Sequence, residues 1–352
     1  MSKKISLAVD CRMYSMSGIG TYLKNVLLGL INSGKYELIC LGYRELGAEV
    51  WFDKVRFIEV KSRPLHPFEQ VEIFFKVPRC DIYFTPHFNT PWIKPWRAGK
   101  MISTIHDVYH LANPAQYNRF LLLYIRMLIW FTVRNTTKVF TVSHFSEREI
   151  LRFFPHAKDK LVVSYLGVSG DFDEVSDADV DFKYLLYVGN VKPHKNVQAI
   201  LQAMPLIADK EIKLVIVGKK DGFYSQNTDM DPLVSELGDR VIFTGYIDDI
   251  TLKKYYRNAS LFIFPSKYEG FGLPVLEAMK FKIPILASDA AAIPEVGGEA
   301  IYYFDPCNIN MLAGMIDEVL SGRLSYNYGL YDEQIGRFNW EKTIDIHLNT
   351  LT

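Results

Sequence analysis

The second half of the chain carries a repeating beat of short apolar runs, and this constrains the fold more than any other feature. The runs are Tyr184–Val188, Lys213–Val217, Val241–Thr244, Leu261–Pro265, Ile283–Ala287 and Ile301–Phe304. They are continuous rather than alternating, as in strands buried on both faces of a parallel sheet. Most lie a strand-plus-helix length apart, which reads as successive βα units. The first half holds runs of the same kind at Ile5–Val9, Met101–Ile105, Val139–Val142 and Leu161–Tyr165. The expected fold class is α/β, with two doubly wound, Rossmann-like domains facing across a cleft. In such sheets ligands bind beyond the carboxyl ends of the strands, so the loops after these runs are where to search.

A chain of 352 residues suits two domains. The stretch 169–182, SGDFDEVSDADVDF, is acidic and poor in aliphatics, and reads as a solvated linker. It separates an amino-terminal domain at 1–168 from a second domain at 183–337. Lys plus Arg and Asp plus Glu each number 40, so the formal charge is zero. That balance argues against a nucleic-acid partner, which calls for a basic excess. The four cysteines (Cys11, Cys40, Cys80, Cys307) are scattered and form no C-x-x-C pair, so they read as buried thiols. The opening MSKKISLAVD is too short and polar for a secretory signal, and no apolar stretch has the length of a membrane span. The expected location is cytoplasmic.

Three segments carry chemistry. SMSGIG, with Gly18 and Gly20, precedes the helical pattern TYLKNVLLGL. Glycines after a first strand let backbone approach a ligand, and a helix start offers N–H groups to an anion; a tight turn is the plain alternative. VGNVKPHKN follows Tyr184–Val188 and places Lys195, with Lys192 as a weaker candidate, to neutralise a diphosphate. FPSKYEGFGLPVLEAM places Glu269 and Glu277 with seven residues between them, around Gly270, Phe271 and Gly272, with Pro274 at a helix start. Two carboxylates there can accept hydrogen bonds from sugar and ribose hydroxyls. Helix capping explains one glutamate, but not the second or the glycines.

With these motifs in order the sequence resembles the family 4 glycosyltransferases, retaining enzymes of GT-B fold. The KPHKN string is similar to their mannosyltransferase-like branch in bacterial polysaccharide assembly. The resemblance covers the whole chain and includes TVSHFS and the ending RFNWEKT, which implies that 338–352 is a helix returning to the amino-terminal domain. It implies that Gly18 and Gly20 approach the donor diphosphate and that Lys195 binds the phosphates. Glu269 with the amides of Gly270, Phe271 and Gly272 would hold the donor sugar. The Leu273 amide would bind phosphate, Glu277 the ribose, and the Gly245–Ile247 loop, ending at Ile247, the base. His106 would sit by the donor sugar, with Asp107 orienting its loop. Asn190 stands where many relatives carry Arg, which leaves more of the phosphate to Lys195. The donor implied is a nucleotide-diphosphate sugar, GDP-mannose by branch, with no cofactor and no essential metal. The acceptor is a saccharide or lipid-linked glycan.

Weaker candidates are His87, Tyr109 and His110 for the acceptor. Ser143 suits helix capping better than donor contact. The D-x-D strings at 171–173, 177–179 and 179–181 fall in the linker rather than after a buried strand. Residues 119–134, RFLLLYIRMLIWFTVR, fit a buried helix or one lying in a membrane interface; the second would put the protein at the inner face of the cell membrane. The alternatives are a UDP- or dTDP-sugar transferase of the same fold, a nucleotide-sugar epimerase or hydrolase, and a non-catalytic nucleotide-binding subunit.

Overall fold

A computed structural model describes residues 4–168, 180–218 and 230–352. The linker expected at 169–182 lies, up to residue 179, outside the described residues. So do the D-x-D strings at 171–173 and 177–179, and Asp179 of the third.

The chain divides into two compact units, Met1–Gly167 with Asn339–Thr352, and Val168–Phe338. In the first, strands β1 (Ile5–Asp10), β2 (Tyr36–Gly42), β3 (Arg56–Glu59), β4 (Cys80–Thr85), β5 (Ala98–Thr104), β6 (Lys138–Thr141) and β7 (Leu161–Val163) form a parallel sheet ordered β3-β2-β1-β4-β5-β6-β7. Its helices are α1 (Ser17–Ser33), α2 (Glu69–Lys76), α3 (Tyr109–Ala112), α4 (Arg119–Asn135) and α5 (His144–Phe153). The second unit holds β8 (Tyr184–Val188), α6 (Val197–Ala203), β9 (Lys213–Val217), α7 (Met230–Leu237), β10 (Val241–Gly245), α8 (Asp249–Asn258), β11 (Leu261–Phe264), α9 (Leu273–Lys280), β12 (Ile285–Ser288), α10 (Ile293–Gly297), β13 (Tyr302–Phe304), α11 (Ile309–Leu320) and α12 (Tyr328–Arg337). Its strands run parallel in the order β10-β9-β8-β11-β12-β13. A last helix, α13 (Trp340–Thr350), belongs to the first unit.

The central strands of the second sheet are buried on both faces, which is why they are unbroken apolar runs: every residue of β8 and of β11 is buried. In the second unit Leu185, Tyr187, Leu214, Ile216 and Ile263 pack into one core with α6 and α11. In the first unit the two faces are distinguished by register. Tyr83 pairs with Met101, and Ser103 with Val139, so Tyr83, Met101 and Val139 point to one side. There α2 packs through Ile73, with Val77 just beyond its end, and α4 through Ile125, Leu128 and Ile129. On the other side α13 lies on α1. A methyl group at Gly29 would fall 2.6 Å from Ile344, and the Tyr22 hydroxyl lies 2.7 Å from His347 Nε2.

Each sheet reverses its winding once, between β1 and β4 and between β8 and β11. Crevices at such switch points are where open α/β sheets hold ligands. Three expectations need correction. Helix α1 starts at Ser17, so Gly18 and Gly20 lie in its first turn rather than in a loop before it. Cys307 is exposed, unlike the other three cysteines. Helix α4 is buried on one side only.

Candidate functional site

In the carboxyl-terminal unit the switch point brings the second and third sequence motifs together. After β8 the chain forms a short 3-10 turn, Pro193–Lys195, and Asn196 then takes the left-handed conformation (φ 52°). Asn196 is nearly buried, and its side-chain amide donates to Pro265 O at 3.1 Å and Pro306 O at 2.8 Å. The Lys267 amide donates to His194 O at 2.8 Å. These bonds fasten the turn to the loop after β11 and aim Lys195 at Glu269, whose Oε1 accepts from Nζ at 2.5 Å. The Lys195 ammonium also stands 5.8 Å from the centre of the Phe264 ring. Lys192 is exposed, and its carbonyl accepts from the Lys195 amide at 2.9 Å.

Three residues beyond Glu269, α9 opens on Gly272 (φ 107°), a conformation that favours glycine. No side chain caps this helix, no acid stands in its first turn, and Pro274 sits at its start. Its first amides therefore keep the partial positive charge of a helix N-terminus. Gly270 and Phe271 are buried, and Phe271 packs edge-on against Phe338 with ring centres 5.5 Å apart. Glu277 accepts from the Tyr256 hydroxyl at 2.8 Å; burial pushes its carboxyl above the ordinary value. Tyr256 is itself buried and stacked on Phe281, 5.4 Å between centres.

Beside this pair, strands β8, β9 and β10 end on or run into Gly189 (φ 149°), Gly218 (φ 149°) and Gly245 (φ 70°). A Cβ at Gly218 would lie 2.2 Å from Gly189 O, so the backbones approach as closely as glycine permits. Asn190 follows, half-buried, its carbonyl accepting from the Tyr187 hydroxyl at 3.4 Å. Ile247 lies two residues beyond Gly245, also half-buried.

In the amino-terminal unit a buried ion triad sits at the corresponding position. Arg12, just after β1, donates from Nε and Nη2 to Asp10 at 2.9 and 2.6 Å and from Nη1 to Glu69 at 2.8 Å. Its side chain is fully buried. The carboxylates hold the guanidinium protonated, while burial raises the Glu69 carboxyl. Glu69 also accepts from Asn89 Nδ2 at 2.9 Å and from the Leu65 amide at 3.0 Å.

His106 follows β5, with Nε2 2.9 Å from Pro86 O and the Tyr22 ring edge-on at 5.0 Å. A carbonyl only accepts, so Nε2 carries the proton. Burial lowers the imidazole pKa, which leaves Nδ1 a lone pair able to accept a hydroxyl. Asp107 accepts from the Tyr109 amide at 2.9 Å and so opens α3. Burial above all, with His106 and His110 nearby, pushes His87 down to about 3. Tyr109 is buried, its hydroxyl donating to Gln116 at 2.5 Å. Ser143 caps α5, accepting from the Ser146 amide at 3.0 Å. A Cβ at Gly20 would lie 2.5 Å from Tyr14 O, whereas Gly18 has open space.

Sequence reasoning missed the residues that hold the others in place. Asn196 had a signal, since it directly follows Lys195 and asparagine tolerates the left-handed region. The Tyr256–Glu277 and Arg12–Glu69 contacts had none, because their partners lie 21 and 57 residues apart.

Two family models cover most of the chain: Glycosyltransferase Family 4 matches residues 16–172, and Glycosyl transferases group 1 matches 169–331. The O-antigen chain mannosyltransferase B of Escherichia coli is 28% identical over 96% of each chain. The O-antigen chain mannosyltransferase RfbU of Salmonella typhimurium is 26% identical over 67% of this chain and 64% of that one. Among solved structures, HepE of Anabaena, in complex with UDP and glucose, superposes with a TM-score of 0.79 at 13% identity over 99% of each chain. Sucrose-phosphate synthase of Thermosynechococcus elongatus gives 0.78 at 20% identity over 99% of this chain and 98% of that one.

Proposed function

The chain belongs to the group 1 and family 4 glycosyltransferases, and on that footing we propose that it moves mannose from GDP-mannose, with retained configuration and no essential metal, to a saccharide or lipid-linked acceptor of surface-polysaccharide synthesis. The observation that carries this reading is the Lys195–Glu269 pair at the switch point, three residues before the uncapped start of α9. A diphosphate there would draw on the Lys195 ammonium and the helix-start amides, while Glu269 turns from the lysine to hydroxyls of the donor sugar. Glu277, half-buried and steadied by Tyr256, suits the paired hydroxyls of ribose. The similarity to O-antigen mannosyltransferases supports mannose and a polysaccharide acceptor.

In the transfer the bond from the anomeric carbon to the diphosphate oxygen breaks, and that carbon bonds to the acceptor oxygen on the same face. The departing phosphate takes the acceptor's proton, so no separate base is needed. Lys195 and the α9 amides are fixed before the charge develops, which is electrostatic preorganisation. In the amino-terminal unit His106 offers its Nδ1 lone pair to a sugar hydroxyl. The protein works at the inner face of the cell membrane.

Retention and metal independence are tested together by the slow hydrolysis of GDP-mannose with water as acceptor, in EDTA, followed by NMR before mutarotation. The α-anomer should form first, at a rate that added Mg²⁺ or Mn²⁺ leaves unchanged. First formation of the β-anomer, or activity only with added metal, contradicts the mechanism.

A further inference from the structure

One layer of the amino-terminal unit exposes apolar and basic side chains together. Helices α2 and α4 cover the same face of the sheet, and the segment 91–97 lies between them. The Trp92 amide donates to Gln70 of α2 at 2.8 Å, its ring stacks on Phe131 of α4 at 6.0 Å, and Asn135 donates to Trp92 O at 2.7 Å. Of the eighteen exposed large apolar side chains among the described residues, eight stand on these three elements and a ninth, Phe68, directly precedes α2. Phe68, Val71 and Phe75 form one stripe at the start and along the outside of α2, at 74, 57 and 68% exposure. Ile93 and Trp96 project from the connecting segment, at 71 and 69%.

The outer face of α4 is the most ordered part. Arg119, Leu123, Arg126, Trp130 and Arg134 recur at spacings of four, three, four and four, which lines them along one side of the helix, and all are exposed. Phe120 flanks them. The helix contains no acidic residue. Segments 61–79, 93–97 and 119–134 together carry nine lysines and arginines, all exposed. Their two acids are occupied: Glu69 is buried in the ion triad, and Glu72 accepts from the Lys61 and Ser62 amides. This basic surplus stands out on a chain whose formal charge is zero. Guanidinium groups sit over aromatic rings, Arg97 on Trp96 at 4.5 Å and Arg134 on Trp130 at 5.0 Å. An open depression of ≈ 650 Å³ at the start of α2 is lined by Lys61, Arg63, His66 and Phe68.

A solvent-facing helix normally mixes charges of both signs; rings and arginines without acids suit an anionic interface. No helix among the described residues is long and apolar enough to cross a membrane. We propose that the α2, 91–97 and α4 layer docks on an anionic lipid bilayer. Helix α4 lies in the interface plane with its guanidinium groups at lipid phosphates, and Leu123, Trp130, Phe120 and Trp96 enter the headgroup region. The inference stands on the amino-terminal unit alone and does not require the transferase reading, though a lipid-linked acceptor would be delivered to such a surface.

The test is co-sedimentation of the full chain with phosphatidylglycerol–phosphatidylcholine vesicles and with pure phosphatidylcholine. Binding is expected only to the anionic vesicles, with a blue shift of tryptophan emission and release at high salt. The triple variant Arg119→Gln, Arg126→Gln, Arg134→Gln should bind roughly a hundredfold more weakly, since each basic residue near such a surface contributes several-fold. Trp96→Ala with Trp130→Ala should abolish the blue shift. Nucleotide-sugar binding by these variants should match the parent, which certifies the fold and separates this result from any failure of the donor site. Equal binding by parent and triple variant, or no binding to anionic vesicles, overturns the proposal. A dimer lost in the variants, without vesicle binding, also overturns it and makes the layer a contact between copies.

Discussion

Lys195→Ala should lower turnover of the nucleotide sugar by roughly 10²–10³-fold, the range for removing one preorganised donor from a developing oxyanion. In the free protein its ammonium already faces a counter-charge, Glu269 at 2.5 Å. The lysine is therefore aimed before substrate arrives, and need not reorganise during the reaction. Both side chains keep some solvent access, 21 and 11%, so the pair itself adds little to folding. The loss should fall mainly on kcat, with the thermal midpoint nearly unchanged. Lys195→Arg keeps the charge and should recover part of the rate. Unchanged turnover in Lys195→Ala would remove the residue from this role. Asn196→Ala should act in the same direction but more mildly, because it frees the turn that holds the lysine without deleting the charge.

The second large effect concerns folding. Arg12→Met should destabilise the amino-terminal unit by about 3–5 kcal/mol, the typical cost of leaving buried charge without its partner. Asp10 and Glu69 would then face each other across a site from which water is excluded. At about 2–4 °C per kcal/mol for a unit of this size, its thermal transition should fall by roughly 10 °C. The loss has a pH signature. Burial already raises the Glu69 carboxyl, and without Arg12 its main counter-charge is gone, so acid favours folding: the penalty is largest near neutrality and shrinks as pH falls through the raised folded value of Glu69. An unchanged transition at pH 7, followed by circular dichroism, would show that the triad carries no such weight.

Much of the carboxyl-terminal unit was legible from the chain because its information is local. Each of its expected strands matches an observed one to within two residues, since a strand buried on both faces must be continuously apolar whatever surrounds it. The position of Lys195 and of Glu269 in loops after parallel strands followed from the apolar runs, and their grouping in one donor site from the family resemblance. The amino-terminal unit was less legible. Strands β2, β3 and β4 were not singled out, and α1 begins four residues before the helical pattern because Ser17–Gly20 carries no apolar periodicity. Arg12 and Glu69 lie 57 residues apart, and only the winding of the sheet brings them together. The two-faced character of α4 was hidden for another reason. Its exposed side carries Phe120, Leu121, Leu123 and Trp130 among the arginines, so the apolar pattern runs around the helix and does not single out the stripe that meets the sheet.

The central claim is that the carboxyl-terminal switch point binds a nucleotide-diphosphate sugar. It is tested most directly by calorimetric titration of the pure protein with GDP-mannose, UDP-glucose, UDP-galactose, UDP-N-acetylglucosamine and dTDP-rhamnose, in parallel with Glu277→Ala. Saturable binding is expected for GDP-mannose, above the other donors and lost in the variant. Binding of a uridine or thymidine sugar instead would move the donor assignment and keep the site. Absence of binding to every nucleotide sugar, or binding that survives Glu277→Ala unchanged, would contradict it.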